Sequence, residues 1–285
     1  MQIQIRRARA EDAAELGRIC YEAFKTVSEA HNFPPDIPSP EIAAGLLSMF
    51  ISHPGFYGVA GEVDGRLVGS NFMDERSPIG GIGPITVDPA WQDRSAGRQL
   101  MEVVLQRTRE KNLAGVRLVQ TAFHNRSLSL YAKLGFQVRE PLSCMQGPPI
   151  KASIYGCSVR AATEADIPAC ISLCLAVHGH ARASELEDAV RQGTARVVER
   201  NGRITGYTTM VGFFGHAVGA TNDDVKALIG AAEEFQGPGI LMPSRNAELL
   251  AWCLEHGLRI TQPMTLMTMG LYNEPTGAYL PSILY

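Results

Sequence analysis

Apolar positions along the first half of the chain switch repeatedly between a period of two and a period near 3.6. Ile3–Arg7 reads as a strand, and Ala10-Glu-Asp12 leads into a helix through Leu16, Ile19, Cys20 and Ala23. The proline-rich stretch His31–Pro40 breaks the pattern, and a second helix follows at about Glu41–Ser52. Gly55–Gly61 and Arg66–Asp74 read as two strands joined by Asp64-Gly65, a pair that tolerates positive φ in a tight hairpin. Ile79–Val87 is the next apolar run, ending in the β-branched Ile85-Thr86-Val87. A helix at Arg98–Lys111, a strand at Val116–Phe123, a short helix with Leu128, Tyr131 and Leu134 on one side, and a strand at Gln137–Met145 complete this half. The order β-α-α-β-β-β-α-β-α-β predicts an α/β (α+β) fold with a mixed sheet.

The second half repeats the first more faintly. Val159-Arg-Ala-Ala-Thr-Glu-Ala-Asp166 echoes Ile5-Arg-Arg-Ala-Arg-Ala-Glu-Asp12, and Asn201-Gly-Arg-Ile-Thr-Gly206 echoes Asp64-Gly-Arg-Leu-Val-Gly69. Arg245-Asn246 with Gly257-Leu258 echoes His124-Asn125 with Gly135-Phe136. Three matches in one order predict an internal duplication, with lobes at 1–147 and 152–285 and a linker at Met145-Gln-Gly-Pro-Pro-Ile-Lys151.

Between the strand ending at Val87 and the helix that follows lies Gln92-Asp-Arg-Ser-Ala-Gly97. Small side chains before a helix start leave backbone N–H groups turned outward, with the positive end of the helix dipole behind them. Such a terminus attracts phosphate. The stretch matches neither the loop ending in Gly-Lys-Ser/Thr nor the three-glycine dinucleotide turn. One crossover downstream stands Asn125-x5-Tyr131-x3-Gly135-Phe136. Together these two stretches resemble the GNAT acetyltransferases, whose pyrophosphate loop reads Gln/Arg-x-x-Gly-x-Gly/Ala and is followed by Asn-x5-Tyr-x3-Gly-Phe. Gln92 and Gly97 match. Ser95 stands where the family has glycine, which suits a position that keeps φ below zero with Ser95 as N-cap. The resemblance implies an acyl-CoA N-acyltransferase fold in two tandem lobes.

It also implies acetyl-CoA as co-substrate and a primary amine that attacks the thioester directly in a ternary complex. By resemblance, the backbone of Ile85, Thr86 and Val87 pairs with the pantetheine arm, and the Val87 N–H stabilises the oxyanion. Gln92 shapes the loop, Asp93, Arg94, Ser95, Ala96, Gly97 and Arg98 surround the pyrophosphate, and the Arg98 side chain adds a charged contact. Asn125 bonds the pantetheine arm, and Tyr131 both borders the cofactor and protonates the leaving thiolate. Many family members carry a glutamate at the start of the central strand, but here that region is Ile79-Gly-Gly-Ile-Gly-Pro84. Glu75 is the candidate base; Asp74, His31, His53 and a bound water remain alternatives. Gly80, Gly81 and Gly83 suggest a wide pocket floor, with Phe56, Tyr57, Phe72 and Met73 as apolar walls. No acidic run is placed to receive a basic peptide, which favours a small-molecule or amino-acid-like amine as acceptor.

The second half lacks these parts. Where the first has its glycine loop, the second has Thr221-Asn-Asp-Asp-Val-Lys-Ala-Leu228, whose carboxylates would occupy the helix start and repel pyrophosphate. It reads as a degenerate lobe that supports the first.

Composition narrows the field further. The 285 residues carry 26 Lys+Arg against 29 Asp+Glu, a formal charge of -3 that gives no electrostatic reason to expect nucleic acid. No apolar run approaches the length of a membrane span and no leader pattern opens the chain, so a cytoplasmic protein without membrane partners is expected. The six cysteines lack framework spacing and read as reduced thiols. Cys170, Cys174 and His178 fall on one helical stripe, read as a buried face rather than a metal site, and no metal is expected. Two rivals stay open. A non-catalytic acyl-CoA sensor would keep the loop and lose the base, and a thiol-dependent transferase or hydrolase would use Cys144. The few charges in Thr208–Thr221 and the apolar Tyr279-Leu-Pro-Ser-Ile-Leu-Tyr285 suggest a buried contact between lobes or in a homodimer.

Overall fold

The computed structural model describes residues 3–285. The backbone divides into two compact units. Among the described residues, one holds 3–118, Phe123–Phe136 and Leu284; the other holds Val119–Ala122, Gln137–Ile283 and Tyr285.

In the first unit, β1 (Gln4–Arg7) leads through a single 3-10 turn into α1 (Ala13–Ala30), followed by α2 (Pro40–Ser52). Ser39 caps α2, its hydroxyl accepting from the Ile42 N–H, and Pro40 sits at the helix start where no N–H is needed. Then come β2 (Phe56–Val63), β3 (Arg66–Asp74), β4 (Ile79–Val87), α3 (Ala96–Glu110), β5 (Gly115–Thr121) and α4 (Asn125–Lys133). The strands lie in the order β1-β2-β3-β4-β5, antiparallel except for the parallel β4–β5 pair. Leu16, Ile19 and Cys20 of α1 and Ala43, Leu47 and Phe50 of α2 bury their apolar stripes with Phe56, Ala60 and Phe72 of the sheet. Gly17 lets the two helices meet closely, since a Cβ there would lie 2.5 Å from the Ala44 backbone.

The second unit contains β6 (Gln137–Gln146), β7 (Ser158–Ala161), α5 (Ile167–His178), α6 (Ala183–Gln192), β8 (Arg196–Arg200), β9 (Arg203–Thr208) and β10 (Ala217–Gly219). It continues with α7 (Asn222–Gly230), β11 (Ile240–Pro243), α8 (Ala247–Glu255), β12 (Arg259–Gly270) and β13 (Ala278–Leu280). One sheet runs β13-β10-β9-β8-β7. In the other, β6 lies between β12 and β11 and pairs antiparallel with both. The alternation assigned β6 to the first lobe; both of its neighbours belong to the second unit.

Two ion-pair clusters, one in each unit, are alike. Arg6 donates to Asp12 at 2.7 and 2.8 Å and to Glu62 at 2.9 and 2.5 Å. Arg160 donates to Asp166 at 2.7 and 2.8 Å and to Glu199 at 3.0 and 2.6 Å. In each case the aspartate also accepts the backbone N–H three residues earlier, from Arg9 or Thr163, at 2.8 Å. Each triad pins the first strand of its half to the start of the following helix.

The mixed α/β architecture expected from the pattern is present. Most predicted elements form within a residue or two of their expected ends; β13, only three residues long, has no periodic signal. Among the described residues no helix is long and apolar enough to cross a membrane, and no group of three or more His, Cys, Asp or Glu is placed to hold a metal ion.

Gly17→Ala is expected to lower stability by about 1–3 kcal/mol, because the methyl group meets backbone rather than a yielding side chain. A urea melt reads this, and an unchanged midpoint would contradict the close helix contact. A fragment of residues 1–147 leaves β6 without either neighbouring strand. It should lack a cooperative urea transition until mixed with 148–285, and a sigmoidal transition of the fragment alone would contradict that dependence.

Candidate active site

The site starts from a break in β4. Ile79, Gly80 and Gly81 pair parallel with Gly115, Val116 and Arg117 of β5. On the other side, the register with β3 shifts between Met73 opposite Ile82 and Asn71 opposite Ile85, so β4 carries one more residue than its partner. The extra length falls at Gly83-Pro84, where Gly83 has φ +149° and Pro84 has no N–H to donate. Beyond it Ile85, Thr86 and Val87 pair with Asn71, Ser70 and Gly69 of β3. Among the described residues no strand pairs with their other edge.

The direction of that edge follows from its end. The Asp88 N–H donates to Val68 O at 2.9 Å, toward β3. Across the trans peptide the Val87 carbonyl points the opposite way, and the Gln92 side-chain amide donates to it at 3.3 Å. An extended residue directs its own N–H and C=O to the same side, so the Val87 N–H also faces the open edge. Thr86 points into the core, its hydroxyl 3.5 Å from that of Ser70, while Ile85 and Val87 are half-buried.

The loop is tightly wound. The Asp88 carboxylate accepts the Ala90 N–H at 2.9 Å, and a 3-10 turn spans Pro89–Trp91. Asp93 and Ser95 then adopt left-handed conformations at φ +63° and +64°. This corrects the expectation for Ser95. It occupies the N-cap position of α3, but with positive φ and without a side-chain capping bond. The first N–H back to its carbonyl comes from Gln99 at 3.1 Å. The N–H groups of Ala96, Gly97 and Arg98 therefore precede the first intrahelical bond, and the helix starts two residues earlier than its apolar period suggests. Gly97 lies where a Cβ would be 3.6 Å from Leu130 and 3.9 Å from Val87, so α3, α4 and β4 converge there. The Arg94 guanidinium stacks 4.9 Å over the Trp91 ring, and Arg98 pairs with Glu102 one turn on at 3.2 Å.

Asn125 opens α4, and its N–H donates to Phe123 O at 3.1 Å. Tyr131, one residue beyond Leu130, is only 7% exposed and meets Phe136 edge-on at 6.1 Å. Burial pushes its phenol well above the ordinary tyrosine value, so it carries its proton throughout the neutral range.

Glu75, expected as base, is engaged elsewhere. Arg107 donates to both of its oxygens at 2.9 Å, and Lys111 lies 3.3 Å away. Desolvation raises its pKa, but the two cations outweigh that and lower it overall. A carboxylate held in this way is a poor proton acceptor. Asp74 is likewise bound by Arg76 at 2.9 and 3.1 Å. The His31 ring nitrogen lies 2.8 Å from Val27 O, and that of His53 accepts the Gly55 N–H.

The expected wide floor is also filled. A Cβ on Gly81 would fall 1.8 Å from the carbonyl oxygen of Leu284, a residue the sequence showed only as part of an apolar end. Phe56 and Phe72 pack with Phe50 in the core, Met73 is buried, and Tyr57 lies between the guanidiniums of Arg7 and Arg107.

In the second unit the matching edge is covered. The repeat aligns Gly206 with Gly69; Gly69 faces Val87, and Gly206 faces Gly219. Ala217–Gly219 therefore stand where Ile85–Val87 stand, and Leu280, Tyr279 and Ala278 of β13 pair with them. At the start of α7 the Asp224 carboxylate accepts the Thr221 N–H at 2.9 Å and its hydroxyl at 2.8 Å, an anion already in place. Cys170 and Cys174 lie in the core, the latter donating to His180 O, and Cys144 is buried with its thiol donating to Pro238 O.

Residues 20–136 match the acetyltransferase (GNAT) family. A mycothiol acetyltransferase of Nocardia farcinica is 40% identical over 63 residues, 22% of this chain and 21% of that protein, so the chain matches about a fifth of that relative's length. The structure resembles that of a Pyrococcus horikoshii protein described as an acetyltransferase, with TM-score 0.72 and 17% identity over 94% of this chain and 89% of that one. It also resembles a GCN5-related N-acetyltransferase from Sphaerobacter thermophilus, with TM-score 0.65 and 14% identity over 95% and 96%. At such identities these two establish the fold, which extends over both halves. The family match covers residues 20–136, less than half of the chain.

Proposed function

We propose that the first lobe, residues 1–147, is an acetyl-CoA-dependent N-acetyltransferase, and that 152–285 is a degenerate lobe without a cofactor of its own. The observation that carries this is the open edge of Ile85–Val87 beside an uncapped helix start. Extended backbone that no described strand pairs with suits the amides of a pantetheine arm, and the N–H groups of Ala96, Gly97 and Arg98, which precede the first intrahelical bond, suit a diphosphate. Acetyl-CoA supplies an activated thioester.

The remaining roles belong to the chain. The Val87 N–H, directed to the open edge, lies on the side where a thioester oxygen would gain charge. Backbone groups from Asp93 to Arg98 hold the diphosphate, Gln92 fixes the loop to β4, and Asn125 bonds the pantetheine arm. The buried Tyr131 phenol donates its proton to the thiolate as the amine displaces it. With Glu75 paired to Arg107, a bound water takes the amine's proton. The acceptor is a primary amine of a small or amino-acid-like molecule. The mycothiol acetyltransferase relative supports acetyl transfer as the reaction class. The sensor reading keeps one point in its favour, the engagement of Glu75.

Tyr131→Phe should lower kcat roughly 100-fold or more while leaving the melting temperature and coenzyme A affinity close to wild type. Thiol release across an amine panel measures this. Unchanged turnover would remove Tyr131 from the acid role, and tight cofactor binding without thiol release from any amine would favour the sensor. Titration calorimetry should find one coenzyme A per chain, abolished by Gly97→Trp. Two equivalents would place a second cofactor in the lobe where β13 covers the edge.

A further inference from the structure

Arg126 sits in the first turn of α4, next to Asn125, and reaches back to the loop before α3. Its Nη2 lies 2.5 Å from Asp93 Oδ1, and its Nη1 donates to Gln92 Oε1 at 3.4 Å. Gln92 in turn donates to Val87 O at 3.3 Å. A polar thread thus joins the open edge of β4, the loop and α4 through three side chains. The ion pair at its outer end is exposed, with Arg126 57% and Asp93 79% accessible. Pairs this exposed contribute little to stability.

Its placement matters more than its strength. Asp93 has φ +63° and sets a carboxylate on the loop whose N–H groups are turned outward for an anion. A fixed negative charge there opposes phosphate unless something neutralises it. Arg126 does so, and its planar fork matches a phosphate as well as a carboxylate. A phosphate carries more charge and more acceptor oxygens than one solvated carboxylate, so it competes well for the same guanidinium.

Building on the acetyltransferase reading, we propose that Arg126 is a ligand for a cofactor phosphate, held over the loop by Asp93 until a phosphate takes the carboxylate's place. The phosphate is either the diphosphate or the 3′-phosphate of coenzyme A, which present the same chemistry to a guanidinium. Both side chains are exposed, so Arg126→Gln and Asp93→Asn leave the fold intact, and asparagine accepts the left-handed conformation.

The test is calorimetry of the full-length protein and both variants with coenzyme A and 3′-dephospho-coenzyme A, alongside turnover with acetyl-pantetheine, which has no phosphate. Arg126→Gln should weaken coenzyme A binding about tenfold and leave the KM for acetyl-pantetheine unchanged. Asp93→Asn should tighten coenzyme A binding several-fold. A loss confined to coenzyme A assigns the 3′-phosphate, and a loss shared by both nucleotides assigns the diphosphate. Wild-type affinity in Arg126→Gln, an equal loss with acetyl-pantetheine, or weaker binding in Asp93→Asn would overturn the assignment while leaving the acetyltransferase reading standing. A wild-type protein without affinity for coenzyme A would overturn both.

Discussion

The first unit depends on one interruption in backbone pairing. β4 keeps its bonds to β3 along most of its length but leaves β5 after Gly81. A strand interior to a sheet normally has both edges satisfied, and unpaired backbone donors and acceptors are costly when buried. Here the interruption is built from an extra residue and a proline. The open edge it creates at Ile85–Val87 is partly occupied by Gln92, which bonds the Val87 carbonyl and leaves the Val87 N–H facing the same side. The loop beyond must turn back sharply, and two left-handed non-glycine residues accomplish that. Conformations of this kind cost about 1 kcal/mol each, so they persist only where the surrounding structure imposes them.

The second unit shows the same framework with the interruption closed. Its arginine triad reproduces that of the first unit within about 0.1 Å, and its hairpin aligns residue for residue. Yet the strand edge equivalent to Ile85–Val87 is covered by β13, a segment from far along the chain. In one unit the edge is satisfied by a strand of the protein, and in the other it is left open apart from the Gln92 side chain.

How much of this was legible in the sequence follows from how local each feature is. The hairpin at Asp64-Gly65, the small-residue loop before α3 and the Asn125-to-Phe136 segment depend on neighbours within a few residues, and their patterns stood out. The arginine echo was visible because Arg6 and Asp12 lie close in sequence, though Glu62 completes the triad from the next hairpin. Features that join distant segments were not legible. Nothing near Glu75 announces Arg107, nothing near Gly81 announces Leu284, and the alternation of β6 is the same whichever strands lie beside it. Ser95 is a subtler case. Serine before a helix usually signals a side-chain cap, but here the turn geometry sets its backbone, and the hydroxyl no longer reaches the N–H groups it would cap.

The two helix starts differ in how their dipole is met. At α7 the Asp224 side chain is buried, accepts the Thr221 N–H and hydroxyl, and accepts the Thr205 hydroxyl at 2.6 Å. The negative charge that the helix dipole favours is supplied by the chain itself and turned inward. At α3 the residue at the cap contributes no side-chain acceptor, and the Asp93 carboxylate of the preceding loop is turned outward to Arg126. The field at that terminus is left uncompensated from within. The two helix starts thus differ in the direction in which one carboxylate points, inward to Thr221 and Thr205 at α7 and outward to Arg126 before α3.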